Sequence, residues 1–206
     1  MVFSSLARFF SWVLHPLFMP LITFLIANEL DPLLLYHDQM TTIVALCLVI
    51  NIVAPGIGIW VMIRRKIISD AEVSDRTQRA APYLLVIFYF ACTYVIFRVK
   101  HGLVSDAFMS LILAVPLSLL ISLLINRWWK ISVHALAQGG VVGAFVGLSA
   151  VHSTNFLLPI ALFCVAGGVV AASRVYLKLH THSQVYAGFA LGLIVNWFLV
   201  GQEIMI

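Results

Sequence analysis

The segment Ala172-Ser173-Arg174-Val175-Tyr176-Leu177-Lys178-Leu179-His180-Thr181-His182-Ser183-Gln184 is a short polar island between two long apolar runs. It sets an arginine and a histidine six residues apart at the mouth of a membrane helix. A guanidinium is a planar fork of donors that matches phosphate oxygens, and a neutral imidazole can attack phosphorus. Two more polar segments also lead into helix starts: Asp70 through Arg76 and Arg79 to Pro82, and Lys130-Ile131-Ser132-Val133-His134. Helix N-termini favour anions, and a second histidine, His134, can serve as a proton donor. Together the three segments offer a nucleophile, an acid and a cationic cradle.

The elements that must position these residues are membrane helices. Of 206 residues 63% are hydrophobic and 10% charged, and the mean hydropathy is +1.07, which excludes a soluble domain of this size. The apolar runs are long enough for helices rather than barrel strands. The expected architecture is all-α: a polytopic bundle with spans near 9–28, 41–63, 82–98, 103–125, 134–150, 156–172 and 184–200. The first is expected to be an uncleaved span. Pro16 and Pro20 predict a kink in it, and Pro55 predicts one in the second span. Ala135, Gly139, Gly143 and Gly147 recur at four-residue spacing in span five, and Gly188 and Gly192 do so in span seven. Such stripes predict close helix packing in lipid, here joining spans five, six (Gly167, Gly168, Ala171, Ala172) and seven.

Seven spans put the three polar segments on one side. Arg8, Arg64, Arg65, Lys66, Arg76, Arg79, Arg127, Lys130, Arg174 and Lys178 lie there, against Arg98 and Lys100 opposite. By the positive-inside rule that side is cytoplasmic; arginines that bind an anion weaken the inference. The formal charge of +4 reflects these short loops and implies no nucleic-acid partner. Cys47, Cys92 and Cys164 lie in apolar runs without ligand spacing and read as buried hydrophobes. His15, His37, His101 and His152 have no partners at motif spacing and receive no role, and His182 reads as a bystander.

The polar segments resemble the motifs of the type 2 phosphatidic acid phosphatase (PAP2) superfamily of membrane phosphatases. That family's third motif is Ser-Arg, five residues, His, three residues, Asp. Here Ser173 and Arg174 are followed by five residues, His180, three residues and Gln184. Of the second motif, Pro-Ser-Gly-His, Ser132 and His134 are present, while Ile131 and Val133 replace the proline and glycine. Arg76, Arg79 and Pro82 are counterparts of a basic first motif whose full spacing is absent. The resemblance covers residues 64–206 as a PAP2-like core, preceded by two N-terminal spans in 1–63.

The resemblance implies a lipid-phosphate phosphatase without metal or other cofactor. His180 would form a phospho-histidine, oriented by Gln184 where the family has a carboxylate. His134 would protonate the leaving alkoxide. Arg174, Arg79, Arg76 and Lys130, with Ser132 and Ser173, would bind the phosphate. One of Asp70, Glu72 and Asp75 could instead replace the missing carboxylate behind His180, or pair with Arg76 and Arg79. The expected partner is a membrane lipid, a phospholipid or an isoprenyl phosphate, with its headgroup between the ends of spans five and seven. The expected location is a bacterial cytoplasmic membrane. The departures at Ile131, Val133 and Gln184 leave an alternative, a catalytically weakened lipid-phosphate binder or a subunit of a membrane assembly. Oligomerisation is left open.

Overall fold

The computed structural model describes residues 2–31, 34, 39–100 and 104–204; His37 and His101 fall outside them. The described residues form eight helices. They are α1 (Val2–Val13), α2 (Met19–Leu30), α3 (Met40–Arg64), α4 (Ala80–Val99), α5 (Asp106–Ile125), α6 (Val133–Val151), α7 (Leu157–Tyr176) and α8 (His182–Gly201). Helices α3 to α8 are long and apolar enough to cross a bilayer, and the protein is an integral membrane protein.

The region expected as a first span is instead divided. The chain leaves the helical conformation at Leu14–Phe18, where Pro16 lacks a donor and disfavours helical geometry at His15. Helices α1 and α2 have 12 residues each, or about 18 Å, too short to cross a hydrocarbon core of about 30 Å. Pro55 acts differently within α3. The residues just before it, Val49–Val53, form a π-helical turn, which absorbs the donor that proline lacks while the helix continues.

Helices α6 and α8 form the spine. An added Cβ at Gly139 or Gly143 would fall on the carbonyl of Phe189 or Leu193, and one at Gly188 or Gly192 on that of Ser132 or Leu136. The two backbones therefore touch, as the glycine spacing predicts. Helix α7 joins less closely: Gly167 packs against the Phe189 ring, whereas Gly168 faces open space. Helix α6 is the most buried of the long helices. Around its far half, Val141, Phe145 and Leu148 pack with Met19 of α2 and Phe163 of α7. At the end away from the polar loops, Asp31 pairs with His152 at 2.5 Å.

Three side-chain caps fix where the helices begin. Ser105 accepts from the Phe108 N–H and Ser132 from Ala135. Thr181 and Gln184 form a reciprocal capping box at α8. Each cap satisfies donors that the first turn leaves free.

Because the α6–α8 contact is backbone to backbone, one added isobutyl group must separate the helices. Gly192→Leu is expected to lower the melting temperature in detergent by about 10 °C or more, given a cost of several kcal/mol. Gly168→Leu, into open space, should leave it within 2 °C or so. A thermal melt monitored by tryptophan fluorescence checks both.

Candidate phosphate site

Every long loop at one end of the bundle is tied to another by a side chain. The Arg79 Nε donates to the Val73 carbonyl at 3.2 Å and an Nη to that of Ile131 at 2.7 Å. The Lys130 ammonium donates to Leu179 O at 3.0 Å, and the Ser132 N–H to Gln184 O at 3.1 Å. Arg76 donates to Arg127 O at 3.1 Å, and the Asn126 amide to Arg76 O at 2.8 Å. These bonds bring the loops before α4, α6 and α8 together. Val73, β-branched and buried, is held at φ 46°, a costly conformation that its bond to Arg79 secures.

The ties close over one end of a cavity lined there by His15, Glu72, Arg79, His134, Arg174 and His180. Arg174 sits in the last turn of α7 and is 2% exposed. One Nη is 2.9 Å from the Glu72 carboxylate. Its Nε and other Nη have no hydrogen-bond partner among the described residues. Buried guanidinium donors without acceptors are costly, and an anion with several oxygens would offset that cost.

His180 follows α7 and is 7% exposed. Its Nδ1 lies 3.1 Å from Gln184 Oε1, and that same oxygen accepts the Thr181 N–H at 3.2 Å. An amide oxygen only accepts, so the proton of neutral His180 sits on Nδ1 and Nε2 keeps a free lone pair. Burial pushes the His180 pKa down to about 3, with Lys130, Arg79 and Arg174 adding to the effect and Gln184 opposing it. The imidazole is therefore neutral at physiological pH. Lys130 is also held below its ordinary value, by burial first and by Arg79 and Arg174 next.

His134, in the first turn of α6, is 5% exposed and hydrogen-bonds the Ser11 backbone. Its ring meets that of His15 edge to face at 5.3 Å. His15 had no role in the sequence reading. The break between α1 and α2 carries it into the site, where its Nδ1 accepts the Leu17 N–H at 3.3 Å and leaves the proton on Nε2. The one signal in the sequence was the pair of prolines that follows it.

The other expected residues take supporting positions. Arg76 lies outside the cavity lining and staples the 126–127 turn. Ser132 caps α6, and Ser173 donates to Val169 O within its own helix at 2.8 Å. Lys130 and Gln184 line a shallow neighbouring depression beside His180. The three nearby acids do not stand behind His180. Glu72 faces Arg174, Asp70 accepts from Ser69 and Ser74, and Asp75 caps the turn at Thr77. The cavity is lined by the start of α6 (Val133, His134) and by His180 just before α8; deeper in the bundle the backbones of α6 and α8 are in contact.

A carboxylate in place of the amide would stabilise the imidazolium. In Gln184→Asp the His180 pKa should rise by at least one unit. NMR titration of the imidazole nitrogens is expected to find the wild type as the neutral Nδ1–H tautomer throughout about pH 5 to 8. Protonation of wild-type His180 at pH 6 would contradict the assignment.

The chain matches no protein-family model, no curated protein and no solved structure, so the site is read from its own geometry.

Proposed function

We propose that the protein is a lipid-phosphate phosphatase that works through a phospho-histidine. The observation that carries this reading is Arg174, buried with two unpaired donor groups in the same cavity as His134 and His180. A phosphate monoester placed there displaces the Glu72 carboxylate from the Arg174 fork and meets the unpaired donors. The His180 Nε2 attacks phosphorus, and the N–P bond forms as the bond to the lipid oxygen breaks. A proton carried in on the phosphate monoanion passes through His134 to that oxygen, which leaves as an alcohol. Water then attacks the phosphoryl group as His134 takes its proton, the N–P bond to His180 breaks, and inorganic phosphate departs with that proton. The guanidinium groups of Arg174 and Arg79 stabilise the charge on the equatorial oxygens, so catalysis rests on positioning and electrostatics.

Gln184 supports the orienting role of the family's acid without its charge. Its oxygen holds the His180 proton on Nδ1, and its side chain also completes the α8 capping box. A neutral partner stabilises the imidazolium less, which favours a slower enzyme. The same observation supports the second reading, a lipid-phosphate binder with little turnover. The basic loops favour a cytoplasmic position for the site, in a bacterial cytoplasmic membrane.

Purified protein offered a panel of lipid phosphates is expected to release phosphate. His180→Ala should lower the rate by about 10⁴-fold, and Arg174→Ala should lower kcat/KM by 10²-fold or more. Binding of lipid phosphate that is lost in Arg174→Ala and kept in His180→Ala, with no release by the wild type, would replace the enzyme by the binder.

A further inference from the structure

The cavity does not end at the polar residues. It continues into the bundle between α2, α3, α4, α5 and α6 as an apolar chamber. We propose that this chamber receives a single aliphatic chain, and that the ligand is a one-chain phosphate or diphosphate rather than a two-chain phospholipid. The proposal rests on the phosphate reading of the polar end and adds the class of lipid.

Depth and floor come from the helices. Along α5 the lining positions run from Leu119 to Phe108, eleven residues or about 16 Å at 1.5 Å each. That is about half of a hydrocarbon core of about 30 Å. Val86, Val115, Ala137 and Ala144 line the walls. At the far end Phe24 and Phe108 meet edge to face with centroids 4.5 Å apart, and Phe97 backs Phe108 at 5.8 Å. An aromatic floor of this kind limits the length of chain that fits.

Volume decides between one chain and two. The cavity measures about 170 Å³, close to the ~150 Å³ of an apolar cavity that holds one benzene ring. That volume includes the polar end, so what remains admits a short length of one chain and no second chain beside it. Polar side chains in the wall are already engaged. Asn51 accepts from the Thr93 hydroxyl at 2.7 Å, and the Asn196 amide donates to Gly192 O at 2.9 Å and to Ser118 at 3.4 Å. The chamber thus presents one charged end and one apolar body.

A chain can reach it from the bilayer. Helix α2 packs on α5 and α6 and touches the first half of α3, while the second half of α3 packs on α4. Half-buried Pro20 and Leu21 on α2, and Ile52 and Ile59 on α3, line that side. The π-helical turn of α3 lies in the same wall. On this proposal the chain enters past these apolar side chains.

The test uses alkylphosphonates, which a phosphatase does not hydrolyse, with the full chain in lipid nanodiscs. Dissociation constants are measured for single chains of one to twelve carbons and corrected for partition into the lipid. Affinity is expected to rise about fourfold per methylene and to level off before twelve carbons. Val86→Phe and Val115→Phe fill the walls and should weaken octylphosphonate by tenfold or more with methylphosphonate unchanged, which also shows that the variants are folded. Phe108→Ala deepens the floor and should move the plateau to longer chains. Methylphosphonate binding with no dependence on length, or octylphosphonate binding equal in wild type and both wall variants, overturns the chamber alone. No binding of any phosphonate overturns the phosphate site beneath it.

Discussion

A guanidinium held out of water needs anionic company, and the organisation of this molecule's polar end follows from that need. Arg174 is 2% exposed and, among the described residues, its side chain pairs with Glu72 alone, on a loop that is itself partly open to solvent. Breaking or leaving incomplete such a pair costs several kcal/mol, and the cost is sustained by the bundle that encloses it. Helix α7 delivers the arginine from below. The loop before α4 delivers the glutamate from above, braced through Val73 and Arg79. Free energy stored in unpaired donors is recovered when an oxyanion arrives, which is how a site of this kind favours phosphate over water.

The second constraint is steric. Helices α6 and α8 meet with their backbones in contact, so the first turns that carry His134 and Gln184 keep a fixed spacing. The bond from the Ser132 N–H to Gln184 O ties those two helix starts directly. The proposed chemistry tolerates a drift of only ~0.5 Å. His134 starts α6, and Gln184, which bonds His180, starts α8. Gln184 couples fold and chemistry most tightly, because a single oxygen caps the helix and sets the tautomer of His180.

Much of this was legible in the sequence, and the parts that were not share a cause. Glycines four apart announce backbone contact because the periodicity of a helix is local. Seven spans were read from apolar length; six stand, and the run at 9–28 is divided at its prolines. Arg174, His180 and Gln184 stand close in sequence, so their spacing already placed them at one helix mouth. His15 was hidden because it reaches His134 through tertiary packing of a broken helix, from more than a hundred residues away. Prolines marked the break and not its direction. Arg76 and Arg79 looked equivalent, yet one turn of chain separates a buried cavity residue from a staple on the 126–127 turn. Glu72 was read as a partner for the wrong cation, since sequence distance says nothing of which arginine a loop folds over. The chamber was invisible, because its walls are ordinary apolar residues on five helices.

The central claim is that His180 attacks phosphorus while Arg174 holds the phosphate. The most direct measurement is an alkaline quench of protein mixed with a cleavable lipid phosphate, followed by peptide mass spectrometry, since phospho-histidine survives base. The account predicts a phosphoryl group on His180 that is absent in Arg174→Ala and decays as inorganic phosphate appears. Phosphate release with no phosphoryl group on His180, or with the group on another residue, would contradict it.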